Sequence, residues 1–350
     1  MLLKQSENLR IDRHSIKVAV VGAGNWGCNL VRTFNHLDAL AAVAEANQDA
    51  REKISGSYPG VTIYHDFFPL LDDDEIQALI IATPAGTHYQ LAKAALLAGK
   101  DVFLEKPMVL SVAQAEELVM LAEQKGMVLM VGHLLLYQPA VQWMKQYISA
   151  GAIGNVQILH QERLKLGRVR AEEDVLWSFG AHDIAVLLYL VGSAPNAARA
   201  IGHNAIQNHI ADDVYLHLRF PGGIQAHIHV SWIWPEQRRC LTIIGSEAML
   251  IYDELKQTVT LHNKGITSHL ANRDDGSRIV FQSNAEPLRL ECQHFLDAVR
   301  EREMPLSSGR SALEVIRVLE EASSDLTVLR YKGGEPHIQG TNSRDCSTFV

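Results

Sequence analysis

The sequence predicts an α/β chain in two parts: a doubly wound parallel sheet, then an α+β domain with a large, mostly antiparallel sheet. Between residues 16 and 131, short apolar β-branched runs alternate with helical segments. That is the pattern of strands buried on both faces and joined by right-handed crossovers. After residue 151, strands follow one another through tight turns with a single helix among them, as in an antiparallel or mixed sheet. At 350 residues the chain exceeds one comfortable core and suits two. The expected divisions are a nucleotide-binding domain at 14–132, a substrate and oligomerisation domain at 133–332, and a flexible tail at 333–350.

In the first part strands are expected at 16–21, 40–45, 78–83, 101–104 and 128–131, with helices at 25–36, 48–55, 87–98 and 112–124. In the second, strands are expected at 155–165, 198–206, 214–220, 224–232, 240–244 and 248–252, Pro221-Gly222-Gly223 being the clearest turn. A helix at 181–190 interrupts them, and helices at 287–301 and 311–326 close the domain.

Composition narrows the partners. Hydrophobic residues at 47% and charged residues at 21% are ordinary globular values. A formal net charge of −8 repels nucleic acid and anionic membrane, so neither is an expected partner. The longest apolar stretches, such as 78–84, are too short to span a bilayer, and the N-terminus lacks the apolar core of a secretory signal. Cys28, Cys240, Cys292 and Cys346 show neither paired nor ligand-like spacing, which fits reduced thiols in the cytoplasm.

The first strand runs into Gly22-Ala23-Gly24-Asn25-Trp26-Gly27, which opens a helix. The first glycine permits the tight turn, the second lets backbone approach a pyrophosphate, and the third allows close helix–strand packing. The helix N-terminus turns its positive dipole end towards the phosphates. Glu45, about 20 residues on, stands where a ribose-binding acid belongs in a Rossmann domain. A carboxylate there repels a 2′-phosphate, so NAD is expected over NADP, although Arg51 weakens that preference. Thr83-Pro84 lies at the carboxyl end of the strand at 78–83, with His88 beyond it, on the edge where ligands of open α/β sheets bind. Thr83 also reads simply as a helix cap.

Glu105-Lys106-Pro107 follows the strand at 101–104 on the same edge. A lysine held extended before proline points over the crevice, where its ammonium can stabilise a developing alkoxide; alone, it equally reads as a solvated surface residue.

These three elements together resemble the glucose-fructose oxidoreductase/inositol dehydrogenase (Gfo/Idh/MocA) family over roughly residues 16 to 330. Gly132-His133 with Tyr137 and Pro139, and the segment Glu291-Cys292-Gln293-His294-Phe295, extend the match. The resemblance implies a cis Lys106–Pro107 bond and cofactor contacts from the glycine turn, Thr83, Pro84, His88, Glu105, Lys106 and His133. It also implies homodimers or homotetramers assembled through the second-domain sheet.

In that family an acid/base histidine follows an aspartate in a D-x-x-x-H pattern. Here Leu176-Trp177-Ser178-Phe179-Gly180-Ala181-His182-Asp183 places His182 on the histidine and Ser178 on the aspartate. Serine cannot supply the charge that raises imidazole basicity. Asp183 projects about 100° away on a helix and does not substitute. His182 is expected to open a helix, where the dipole keeps the ring neutral as a general base requires; a satisfied core histidine is the alternative.

The same segment looks closest to a nucleotide-sugar branch, similar to dehydrogenases that oxidise the 3-hydroxyl of UDP-linked N-acetylamino-uronates. Arg163, Lys165, Arg168 and Arg170 form a basic cluster suited to a diphosphate or uronate, or else a solvated or interface loop. Trp177 and Ser178 are substrate-side candidates, and Trp232, Pro235 and Arg239 line the same pocket or belong to sheet packing.

No metal is expected. His217, His227 and His229 lie on neighbouring strands without acid or cysteine ligands in pattern, a better fit to a sheet face meeting solvent or a partner subunit. The expected activity is NAD-dependent oxidation of a sugar or nucleotide-sugar hydroxyl by Lys106 and His182. The alternatives are a polyol dehydrogenase of the inositol type and a catalytically silent NAD-sensing regulator.

Overall fold

A computed structural model describes residues 16–330. The flexible tail expected at 333–350 and Cys346 within it lie outside the described residues. The first half runs β1 (Val18–Val21), α1 (Gly27–His36), β2 (Leu40–Ala44), α2 (Gln48–Ser57), β3 (Thr62–Tyr64), β4 (Ala78–Ile81), α3 (Ala85–Leu97), β5 (Asp101–Leu104), α4 (Val112–Lys125) and β6 (Leu129–Val131). All neighbours pair parallel in the order β3-β2-β1-β4-β5-β6. The chain reverses direction across the sheet between β1 and β4, so a crevice opens at their carboxyl ends. Strands β1, β4 and β5 are buried at every residue, as sandwiched strands must be.

The second half runs α5 (Pro139–Ser149), β7 (Val156–Leu166), α6 (Ala181–Val191), β8 (Ala197–Asn204), β9 (Asp213–Arg219), β10 (Gln225–Ser231), β11 (Ile233–Gly245), β12 (Met249–Asp253), β13 (Thr258–Ile266), β14 (Asn272–Gln282), α7 (Pro287–Glu301), α8 (Gly309–Asp325) and β15 (Thr327–Arg330). The sheet order is β14-β13-β12-β11-β7-β10-β9-β8-β15. Among the described strands of this sheet only β7 with β10 and β8 with β15 pair parallel. Strands β8 and β9 alternate buried and accessible residues, so one face packs on helices while the other stays open.

Several elements were not expected from sequence. Strand β3 is three residues long, and β14 (NRDDGSRIVFQ) is too polar to read as a strand. Strand β11 begins at Ile233 rather than 240, with irregular pairing between Ile233 and Arg238. There the polar run WPEQRR hides the extension. Helix α5 was missed beside its own proline start.

The closing helices also return to the first sheet. Helix α7 packs on α1, and α8 packs on α4. Ser307 O accepts from Val131 N at 2.8 Å, and Ser308 bridges Met130, so the last strand of the first sheet is capped by chain from the second half. Among the described residues no helix is long and apolar enough to cross a membrane.

Candidate active site

The glycine turn is sterically fixed. Gly22 has φ +87°, and a Cβ on Gly27 would stand 2.0 Å from Gly22 O, so helix α1 can approach β1 only with glycine there. Nothing lies within 4 Å of a Cβ built on Gly24, which leaves the backbone open towards the crevice. Helix α1 begins at Gly27, two residues later than expected, so Asn25 and Trp26 belong to the turn. Glu45 Oε2 accepts from Ala23 N at 2.6 Å and Oε1 accepts from Asn47 N at 2.8 Å, tying the acid to the turn. Arg51 donates to Glu45 O at 2.8 Å and Ala46 O at 2.6 Å, so its guanidinium caps the end of β2. A glycine cradle that a Cβ would fill, with an acid beside it, fits a dinucleotide.

Thr83 Oγ1 lies 2.7 Å from Thr87 Oγ1, and Pro84 stands at the N-cap just before α3, so this pair fixes the helix start. His88 is a correction. It is fully buried, with Nδ1 2.9 Å from Pro107 O and Nε2 2.9 Å from Thr83 O. Burial holds its pKa down, so the neutral ring donates to one carbonyl at a time and cross-links the two loops rather than facing a cofactor.

The Lys106–Pro107 bond is cis. Glu105 is buried and accepts from the Trp26 indole N–H and from Lys106 N at 3.1 Å. A Cβ on Gly132 would lie 3.0 Å from both Glu105 oxygens, so that glycine makes room for the carboxylate. Lys106 Nζ donates to Ser178 O at 3.0 Å, which brings the lysine of the first sheet against the second half. Burial lowers its pKa, and the Glu105 charge opposes that.

Ser178 lies in a π-helical turn, Leu176–Gly180, that runs without a break into α6. His182 therefore does not open a helix, because helical backbone precedes it from Val175. The dipole argument fails, and a different cause keeps the ring neutral. Burial first, then the charges of Lys106 and Arg163, hold its pKa well below the ordinary imidazole value. Its Nδ1 is shielded and has no partner among the described residues. His133 is similar: buried, unpartnered at Nδ1 among the same residues, with its pKa lowered to about 4 by burial and then by Lys106.

The expected basic cluster divides. Arg163 is buried, with Nε 3.0 Å from both Asp183 oxygens and Nη2 2.8 Å from Asp183 Oδ1 and 2.7 Å from Glu254 Oε2. Two carboxylates saturate it, so Arg163 is not free for a substrate anion. Arg239 also binds Glu254, at 3.0 Å. Lys165 stands 5.2 Å from the Phe179 ring, and its ammonium is destabilised first by burial, then by Arg239, Arg163 and Arg170. Arg168 is exposed, and Arg170 lies 3.6 Å from Glu173. Trp232 is fully buried and donates to Asp212 Oδ1 at 2.6 Å, which makes it a packing residue. Trp177 donates to Ser323 Oγ at 2.8 Å, anchoring the π-turn to α8. Sequence reasoning missed Glu254 and Glu173, which stand in no motif.

On the open sheet face, His217 Nδ1 lies 2.7 Å from His227 Nδ1, and His229 bonds Asp213 at 2.8 Å. Among the described residues no group of three or more His, Cys, Asp or Glu is placed to hold a metal ion.

The family model described as oxidoreductase family, NAD-binding Rossmann fold, matches residues 16–133, and the GFO/IDH/MocA C-terminal domain matches 141–251. The chain is 25% identical over 287 residues to UDP-N-acetylglucosamine 3-dehydrogenase of Acidithiobacillus ferrooxidans, covering 81% of this chain and 88% of that one. A solved structure of that enzyme superposes with TM-score 0.79 at 24% identity, over 89% of this chain and 97% of that one, a likeness of fold. A solved oxidoreductase from Magnetospirillum magnetotacticum is 30% identical over 88% of this chain and 99% of its own, with TM-score 0.78. The chain belongs to the Gfo/Idh/MocA oxidoreductase family, and is an NAD(P)-dependent dehydrogenase acting on CH–OH groups.

Proposed function

We propose that this enzyme oxidises a hydroxyl of a nucleotide-linked sugar. The observation that carries this is the 3.0 Å bond from Lys106 Nζ to Ser178 O, which joins the lysine at the sheet's carboxyl edge to the turn leading into His182. An ammonium has three donors, so two remain for a substrate hydroxyl. Lys106 stabilises the oxyanion that develops as the C–H bond breaks, and His182, kept neutral, accepts the hydroxyl proton. NAD, when bound, supplies the hydride acceptor. NAD is preferred over NADP because Glu45 presents a carboxylate beside the glycine turn. Gly22, Gly24, Asn25, Trp26, Gly27, Thr83 and Pro84 are proposed to line that side, with His133 buried where the Lys106 charge acts on it.

A nucleotide sugar is favoured over a free polyol by Arg170, whose charge acts on Lys106, and by Lys165, on which Arg170 also acts. The similarity to a UDP-N-acetylglucosamine dehydrogenase points the same way. The open face of the second sheet is proposed to join subunits into a dimer or tetramer.

The test is incubation with NAD or NADP and a panel of UDP-hexosamines, UDP-uronates and free polyols, following absorbance of the reduced cofactor. Turnover on one nucleotide sugar, lost by Lys106→Met, is expected. Turnover on polyols alone would replace the substrate class. Cofactor binding with no turnover on any substrate would indicate a sensor instead.

A further inference from the structure

Glu291 of α7 is fully buried, and neither of its carboxyl oxygens has a hydrogen-bond partner among the described residues. Buried polar groups are almost always paired, so such a group requires an explanation. The packing shows what it faces. Phe295, one helical turn further on, meets Phe103 of β5 edge-on, with ring centroids 5.6 Å apart. Residues four apart on a helix share a face, and residues two apart on a strand share a side. Glu291 stands four before Phe295, and Glu105 two after Phe103, where Glu105 N still bonds Ile81 O at 2.9 Å and prolongs the strand. The two carboxyl groups therefore turn towards the same space past the end of β5, near enough for the Glu105 charge to act on Glu291.

Their surroundings differ. Glu105 has the Trp26 indole and Lys106 N as donors, with the Lys106 charge beyond. Glu291 has no donor. The titratable groups facing it are Glu105 and, beside it, Tyr137 and Cys292, both pushed up first by burial. Among the described residues no cation acts on it. Two carboxylates in one dry site do not both ionise, and the proton settles on the one without donors. Burial and then the Glu105 charge raise the Glu291 pKa well above the ordinary carboxyl range.

We propose that Glu291 is a buried carboxylic acid paired with Glu105, that the two hold one proton between them behind Lys106, and that oxidised nicotinamide cofactor displaces that proton. The second half rests on the proposed reading of the crevice as a cofactor site. The oxidised ring is cationic, and a positive charge near the pair favours its doubly ionised form. Binding of NAD is then linked to proton release, whereas binding of NADH, which lacks that charge, is not.

Infrared spectroscopy of the full-length protein without cofactor tests the pair. A protonated-carboxyl C=O band that persists above neutral pH is expected, and it should vanish in both Glu291→Gln and the apolar Glu291→Met, either of which suffices if the other does not fold. No such band, or a band unchanged in these variants, would overturn the proposal. Calorimetry of NAD and NADH binding in buffers of different ionisation enthalpy tests the linkage. A fraction of a proton released with NAD, none with NADH, and neither in Glu291→Gln is expected. Equal proton counts for the two cofactors would overturn the linkage while leaving the pair. Absence of binding by either cofactor would overturn the linkage together with the proposed function, and the infrared result still decides the pair.

Discussion

Lys106, His133 and His182 show how burial rather than sequence spacing sets basicity. The His133 pKa of about 4 stands against 6.5 for a free imidazole. The unfolded chain binds the extra proton between those values, so this histidine contributes stability that is complete above the unfolded pKa. That stability is lost as pH falls through the folded one. The loss is about 3 kcal/mol. Chemical denaturation across that range should show the slope, and His133→Asn should flatten it; an unchanged slope would mean the ring is solvated. At His182 the proposed loss is kinetic. His182→Asn should lower kcat by about 10²-fold or more with the fold intact, checked by turnover and circular dichroism. The lysine, both histidines and the serine at position 178 were legible from motif alone. The charges that tune them, Glu173 near Lys106 among them, were not, because they come from segments far apart in sequence.

At the scale of elements, α6 carries His182 and is held by the ion pair between Asp183, the next residue, and Arg163 of β7. Sequence analysis assigned Arg163 to substrate because a cluster of cations in an acidic chain attracts that reading. The sheet instead pairs Arg163 directly opposite Arg239, and Glu254 lies between them as counter-charge. Removing one member of a buried pair leaves the other uncompensated, at a cost of about 3–5 kcal/mol. Asp183→Asn should therefore lower the melting temperature by several degrees and reduce kcat, because the helix bearing His182 loses its anchor. A stable, fully active variant would show that the network is incidental. The π-turn before α6 had no sequence signal beyond the departure at Ser178.

At the scale of the molecule, the two sheets are joined by chain that returns from the second half to the first. Phe295 against Phe103 and Ser307 beside β6 make the nucleotide-binding part dependent on α7 and the loop to α8. Phe295→Ala should cost about 3–5 kcal/mol and weaken cofactor binding as well as stability, measurable by thermal unfolding with and without NAD. The open face of the larger sheet carries Ile201 opposite Tyr215, both well exposed, beside the histidine pair. If that face joins subunits as proposed, Tyr215→Arg should shift the protein to a smaller species in sedimentation velocity. No change in mass would place the interface elsewhere.

By itself the sequence determined the parallel sheet, the glycine turn, the acid after β2, the lysine before a cis proline and the histidine of the second half. Each of these depends on local chemistry: a buried apolar run, a backbone that only glycine permits, or a short motif of fixed spacing. Tertiary structure alone decided which charges face one another. It took Arg163 from the substrate, buried His88 between two loops, moved His182 into a continuous helix, and set Glu291 opposite Glu105. Those outcomes depend on burial and on contacts between distant segments, and the cost of burying a charge is fixed only once its neighbours in space are known.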